Sequence, residues 1–167
     1  MSIKHIFLAS DSHGDVGGMV RAFGKALELF DDISVIMHAG DFASDSQVLA
    51  AHNLPIYAVK GNCDSPASTY ALMELVDIGG QKILLVHGHK QGAKEGKKEL
   101  GALALEVGAC ACVFGHTHKA FIGNVGGSLL INPGSINDPK TPGMGTSFGI
   151  VAIKDGMDIV GCEILEF

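Results

Sequence analysis

Apolar and polar positions run in blocks along the chain, and the period of each block predicts an element. Residues 4–9 form a short apolar run, the pattern of a buried strand. Between 16 and 30, Val16, Met19, Val20, Phe23, Ala26, Leu27 and Phe30 recur at spacings of three and four, the stripe of an amphipathic helix. Residues 33–37 predict a second strand, 44–51 a short helix capped by Ser44 or Asp45, and 56–59 a third strand entered through Pro55. Strand–helix–strand–helix–strand at these separations predicts a parallel, layered α/β sheet. Beyond Pro66 the period changes. Residues 72–78 and 82–86 flank Gly79-Gly80 as a hairpin. A helix over 93–107 follows, then a strand over 110–114 in which Cys110 and Cys112 read as buried small residues. The remainder reads as a meander: 121–125 and 128–131 about Gly126-Gly127, then 147–153 and 157–165 about Asp155-Gly156. With no repeat, linker or low-complexity tract, residues 1–167 are expected to form one domain.

The polar residues are concentrated where strands end. Asp11-Ser12-His13 closes the first strand, Gly40-Asp41 the second and Gly61-Asn62-Cys63-Asp64 the third. His87-Gly88-His89 closes the strand over 82–86, and Gly115-His116-Thr117-His118 the strand over 110–114. In α/β sheets the carboxyl ends of the strands form the ligand crevice, so these segments should meet at one edge. Carboxylate, imidazole and amide oxygen without thiolate suit Mn²⁺, Fe, Zn²⁺ or Mg²⁺. Asp11, His13, Asp41, Asn62, His87, His116 and His118 are too many ligands for one ion and suit two ions sharing a carboxylate. Two metals about 3.5–4 Å apart are a recurrent device for displacement at phosphorus. His38, just before Gly40-Asp41, reads instead as a hydrogen-bonded histidine near the site or in the core.

Composition bounds the alternatives. Hydrophobic residues are 47% and charged residues 18% of 167, which excludes intrinsic disorder. Lys+Arg 12 against Asp+Glu 18 leaves −6, without the basic field that extended nucleic-acid binding needs. Glycine, at 23 of 167, is about twice the usual share, and Gly14, Gly40, Gly61, Gly88 and Gly115 all flank candidate ligands. Cys63, Cys110, Cys112 and Cys162 form no CxxC pair and read as free thiols of a reducing compartment. The first apolar run is too short for a signal-peptide core, and the stretch over 102–114 falls short of the ~18 residues of a membrane span. A soluble cytoplasmic protein without membrane association is expected, with a homo-oligomer left open. Lys94, Lys97 and Lys98 read as a solvated helix face, with an anion-attracting rim as the alternative.

Asp-x-His, Gly-Asp, Gly-Asn-x-Asp, His-Gly-His and Gly-His-x-His, in that order, resemble the calcineurin-like metallophosphoesterases. The likeness is closest to their small single-domain phosphodiesterase branch and spans essentially the whole chain. Asn132-Pro133-Gly134-Ser135, by composition a plain turn, resembles that branch too. The resemblance implies a four-layer α/β/β/α sandwich of two mixed sheets, with the late meander in the second sheet. It implies that Asp11, His13 and His118 hold one divalent ion and Asn62, His87 and His116 a second, with Asp41 bridging. Manganese is the first expectation, with Zn, Fe, Mg or Ni as alternatives. A hydroxide between the ions would attack a small phosphodiester, and Asn62 would steady the phosphate oxygens.

Two positions depart from the family pattern. Where many members carry a histidine that protonates the leaving group, this chain has Cys63, a poorer acid for that task. That leaves His89 or water to assist. Lys140 stands where an arginine is expected, so a bidentate phosphate clamp is not implied. Asp64 reads equally as a partner of the site or a turn residue. The competing functions are a phosphomonoesterase and a non-catalytic protein-binding scaffold, the role of the small retromer subunit of this fold.

Overall fold

Side chains of β1 (Ile3–Ala9) alternate between two apolar cores: Ile6 and Leu8 enter one, Phe7 and Ala9 the other. A strand buried on both faces belongs in a sheet interior. The computed structural model, which describes residues 3–155 and 158–167, places β1 at the centre of a five-stranded sheet. β2 (Ile33–His38) and β3 (Ile56–Ala58) continue it in parallel on one side. The second sheet is built from β4 (Met73–Ile78), β5 (Gln81–Val86), β6 (Ala111–Val113), β7 (Phe121–Val125) and β8 (Ser128–Asn132), in the order β4-β5-β6-β8-β7. Its interior strands β5, β6 and β8 are parallel, and both edges are antiparallel. The Gly79-Gly80 hairpin forms as expected, with both glycines at positive φ.

Between the sheets, Ile6, Leu8, Val35 and Met37 meet Ile83, Leu85, Val113 and Ile131. On the outer face of the first sheet, α1 (Val16–Leu29) buries Met19, Ala22, Phe23 and Ala26 against Phe7 and Ile36. Asp15 caps α1 by accepting the Gly18 N–H at 2.7 Å. On the outer face of the second sheet, α2 (Lys98–Glu106) sets Leu100 and Ala104 against Leu84, Cys112, Phe114 and Leu130. Helix, sheet, sheet, helix is the expected four-layer α/β/β/α arrangement.

The structure corrects several sequence expectations. Only β7 and β8 of the late meander join the second sheet; β9 (Ser147–Lys154) and β10 (Ile159–Glu166) close the first. β9 pairs antiparallel with β1, Ile6 opposite Val151, because the second edge of a two-sided apolar strand also needs a partner. The turn residue Gly156 and the expected strand start Met157 lie outside the described residues. The short helix is a 3₁₀ segment, Ala43–His52, entered through a left-handed Phe42 without a side-chain cap. The second helix starts at Lys98 rather than 93: residues 93–95 form turns after left-handed Gly92, and Gly96 is a poor helix former.

Asp45 does not cap; its carboxylate ends a buried chain of hydrogen bonds. The Gly40 N–H donates to His38 Nδ1 at 3.2 Å, which leaves Nε2–H to face Ser12 Oγ at 2.9 Å. Ser12 Oγ–H donates to Asp45 Oδ2 at 2.7 Å, and the Gly14 N–H joins the same oxygen at 2.8 Å. The loops after β1 and β2 are thereby tied through one neutral imidazole. Burial pushes His38 down from 6.5 to about 4, against the pull of Asp11 and Asp45. The unfolded chain therefore takes a proton that the fold refuses, and stability falls as pH drops from 6.5 towards 4, by roughly 1.4 kcal/mol per unit. Denaturant unfolding across that range should show a loss larger by about 2 kcal/mol in the wild type than in His38→Gln, whose amide does not titrate. Equal pH slopes for the two proteins would exclude His38 as the source.

Candidate metal centre

Parallel strands from both sheets deliver their carboxyl ends to one crevice. β1 supplies Asp11 and His13, β2 Asp41 and β3 Asn62; β5 supplies His87 and His89, and β6 supplies His116 and His118. Neighbouring loops of each sheet are stitched together. The Asp11 N–H donates to Gly40 O and the Gly115 N–H to His87 O, both at 3.0 Å. Five of these residues, Asp11, His13, Asp41, His116 and His118, sit at positive φ between 46° and 66°. Non-glycine residues rarely adopt that region, and clusters of them mark functional sites.

Asp11, His13, Asp41 and His118 each bring one ligand atom into a group lying within 4.8 Å of one another. His118 Nε2 lies 3.2 Å from Asp11 Oδ1, and His13 Nε2 lies 3.3 Å from His118 Nε2 and 3.6 Å from Asp41 Oδ2. On the other side of Asp41, Oδ1 lies 3.3 Å from His87 Nε2, which is 3.1 Å from Asn62 Oδ1. The two oxygens of Asp41 thus face two clusters. The His116 ring packs against His87 with centroids 5.1 Å apart, while the backbone N–H of His116 donates to Asp11 Oδ2 at 3.1 Å. All seven sequence-predicted ligands therefore reach the crevice, with the His116 imidazole packed edge-on against His87.

Lone pairs confront lone pairs here. His87 Nδ1–H donates to Ala39 O and His118 Nδ1–H to Asp138 O, each at 2.7 Å, so Nε2 of each neutral ring is an acceptor aimed at carboxylate oxygen. Asp11 Oδ2 accepts from Ser10 Oγ–H at 2.6 Å, whereas the buried Oδ1 has no hydrogen-bond partner. Only a positive charge among these atoms makes the arrangement favourable. Proton affinities follow the same demand. Burial opposes it, yet Asp41 and Asp11 raise His87, and the Asp11 carboxylate raises His118. Burial likewise opposes ionisation of Asp41, but His87 and the Cys63 N–H hold its carboxyl well below the usual range. His116 is pushed down to about 4 by burial, by His87 and by Lys94. Oxygen and imidazole donors with an orphaned buried carboxylate oxygen fit a hard or borderline divalent cation.

Several residues brace the candidate ligands from behind. Asp64 accepts the Gly61 N–H at 2.7 Å and the Ala43 N–H at 2.9 Å, fixing the Asn62 loop against the 3₁₀ segment. Gly61 is required because a Cβ there would lie 2.1 Å from Asp41 Oδ1 and 2.5 Å from the Asp41 backbone nitrogen. Asn132 Nδ2 donates to Gly115 O at 2.9 Å, and Ser135 Oγ–H to Asp11 O at 2.9 Å. The segment that read as a plain turn therefore holds both histidine and aspartate loops. Ser10, Ser12, Asp45 and Asp138 escaped the sequence reading, since short polar residues near turns have many commoner roles.

His89 sits at the rim, its ring 5.3 Å from that of His87, with Nδ1 buried and without a partner. Burial, His87 and Lys90 lower its proton affinity. Cys63 is exposed; its N–H donates to Asp41 Oδ1 at 2.8 Å, and burial together with Asp41 pushes the thiol up. No helix among the described residues is long and apolar enough to cross a membrane.

Known proteins share this arrangement. The chain is 35% identical over 136 residues to the probable metallophosphoesterase YsnB of Bacillus subtilis, covering 81% of this chain and 77% of that one. A crystal structure of a conserved protein from Streptococcus pneumoniae, a predicted phosphoesterase, superposes with a TM-score of 0.77 at 25% identity, over 100% of this chain and 99% of the other. Vps29 from Entamoeba histolytica, solved in complex with zinc, has the same fold, with a TM-score of 0.72 at 22% identity over 96% and 98% of the two chains. The calcineurin-like phosphoesterase superfamily domain matches residues 5–156. With that match spanning both sheets and every strand-end motif, the chain belongs to the calcineurin-like phosphoesterase superfamily.

Proposed function

We propose that the protein is a divalent-metal-dependent phosphodiesterase working through two ions in this crevice. One observation carries the reading: the Nε2 lone pairs of His87 and His118 face carboxylate oxygens, while Asp41 divides its two oxygens between the clusters. Asp11, His13, Asp41 and His118 would hold one ion, and Asp41, Asn62, His87 and His116 the other. Bound there, divalent ions acidify water towards neutral pH and neutralise phosphate charge. Manganese suits the mixed oxygen and imidazole donors, and zinc, iron, magnesium or nickel are the competitors. The free thiols and the −6 balance agree with a reducing, cytoplasmic setting.

The chain's own groups fix the rest of the chemistry. Ala39 O and Asp138 O orient two imidazoles from behind, so ligand direction is set before anything binds. Asn62, exposed at the rim, turns Oδ1 to His87 and leaves its amide group at the crevice mouth. His89 presents a ring beside His87 and His116 and is placed to meet a phosphate oxygen or the departing group. Cys63 contributes its backbone N–H to Asp41, a role indifferent to its side chain. A diester brings one negative charge and a monoester close to two. The chain's single arginine, Arg21, lies on α1 beside Asp15, and Lys140 Nζ is engaged by Asp138 at 2.9 Å. The lesser charge of a diester suits that rim.

The competing reading is a protein-binding scaffold, favoured by the likeness to Vps29, a protein of the same fold. Chelation followed by Mn²⁺ add-back separates the readings. Hydrolysis of bis-p-nitrophenyl phosphate should vanish and return, and exceed p-nitrophenyl phosphate hydrolysis at least about tenfold in kcat/KM. Faster monoester cleavage would make the protein a phosphomonoesterase, and bound metal with neither activity would favour the scaffold. On a diester whose leaving group is an unactivated alkoxide, Cys63→Ala should retain kcat/KM within about threefold, whereas His89→Ala should lose about a hundredfold or more, the range of a lost general acid. The reverse ranking of those two variants would place the leaving-group proton on Cys63.

A further inference from the structure

Beside the crevice lies a cavity of about 500 Å³ whose wall includes Lys94, Lys97, Lys119 and Lys140 together with Thr117 and Phe121. No carboxylate lines it. Four of the chain's 12 basic side chains thus gather around one space, although the protein carries −6 overall. They come from two distant places: the turn preceding α2, and the segments on either side of β7 and β8. Lys140 is paired with Asp138, whereas no ion pair among the described residues meets Lys94, Lys97 or Lys119, and like charges brought together repel until an anion enters. The cavity is also contiguous with the metal centre. Thr117 stands between His116 and His118, and its Oγ1 is fixed by Asn132 Nδ2 at 3.0 Å and the Lys119 N–H at 3.2 Å. Asp138 Oδ2, 2.9 Å from Lys140 Nζ, lies 3.4 Å from His118 Nδ1. Lys97 Nζ sits over the Phe121 ring, 4.6 Å from its centroid, which holds one ammonium at the wall without a counter-carboxylate.

We infer that this cavity binds a second, non-reacting phosphate of the substrate, so that the preferred substrates are phosphodiesters bearing an additional phosphate group. The inference rests on the phosphodiesterase reading and names its substrate class. The reacting diester, singly charged, occupies the crevice; the extra phosphate, doubly charged near neutral pH, takes the lysines. Separating the two sites explains how a rim without an arginine clamp can serve a polyanionic molecule.

Direct binding and selectivity test it together. Calorimetric titration of the metal-free protein with inorganic tripolyphosphate should give salt-sensitive binding, weakened at least about tenfold in Lys97→Gln/Lys119→Gln. Lys119→Gln/Lys140→Gln, which leaves the Phe121 contact intact, should weaken it similarly. In the Mn²⁺-loaded enzyme, two p-nitrophenyl nucleotide diesters differing only by one sugar phosphate should differ in kcat/KM by about tenfold or more, and the ratio should fall towards one in both variants. Tripolyphosphate binding unchanged by the substitutions overturns the proposal. Lysine-dependent binding with a wild-type ratio near one overturns the substrate assignment and makes the cavity a site for free polyanions. Lysine-dependent binding with neither diester cleaved overturns the phosphodiesterase reading, and the substrate assignment with it.

Discussion

Acceptor atoms brought face to face in a low-dielectric crevice are the constraint around which the loops of both sheets are arranged. Asp11 and Asp41 are almost fully buried, and the nitrogens nearest them point lone pairs inward. In water such groups would separate. The fold keeps them together by satisfying every other face of each residue. One oxygen of Asp11 is hydrogen-bonded, its backbone carbonyl takes the Ser135 hydroxyl, and its backbone N–H takes Gly40 O. What remains free is the one oxygen that points at His118 and His13.

That convergence has a conformational cost. Five site residues hold left-handed backbone, at about 1 kcal/mol or more apiece for an L-residue. A total of that size is comparable to the net stability of a typical domain, so it persists only where packing over-determines it. Here the over-determination comes from both sheets. The core between them fixes β1 and β2 against β5 and β6, and cross-sheet hydrogen bonds then leave each loop one conformation. A site spread over five strand ends is consequently a property of the register of two sheets at once. A cation entering it relieves the acceptor–acceptor repulsion, and so stabilises the native state through the same atoms that would serve chemistry.

The candidate ligands stand out in the sequence because their chemistry is specific and their positions are marked. Aspartate, histidine and asparagine beside glycine, each time directly after an apolar run, have few commoner explanations. The layers were legible for a related reason: Ile6 and Leu8 against Phe7 and Ala9 reveal a strand buried on both faces. Other features lay beyond reach for physical reasons. An alternating pattern such as that of β9 says which face is apolar and nothing about which sheet it joins. The left-handed turns at Asp11 and His116 follow from tertiary packing, since neither residue type demands that conformation. Asp45 and Ser12 are separated by 33 positions, and each alone reads as an ordinary cap or turn residue. Lys119 and Lys140 meet Lys94 and Lys97 only because β7 and β8 return the chain to the start of α2.

Net charge, read from composition, bounds only extended binding, and the local charge beside the crevice has the opposite sign. Carboxylates that count as negative in the total, Asp11 and Asp41, are turned into the candidate metal centre. A third of the positive charges line the neighbouring cavity. An acidic chain can therefore gather positive charge beside one crevice, because net charge says nothing about where the charges sit. The distinction between enzyme and scaffold within this fold then rests on very few atoms. Removing the orphaned oxygen of Asp11 or the inward nitrogens of His87 and His118 would leave the layers, cores and sheet register intact, because none of those atoms contributes to packing. The fold does not need the centre, whereas the centre needs both sheets of the fold, and that asymmetry allows one architecture to support catalysis in some chains and other roles in others.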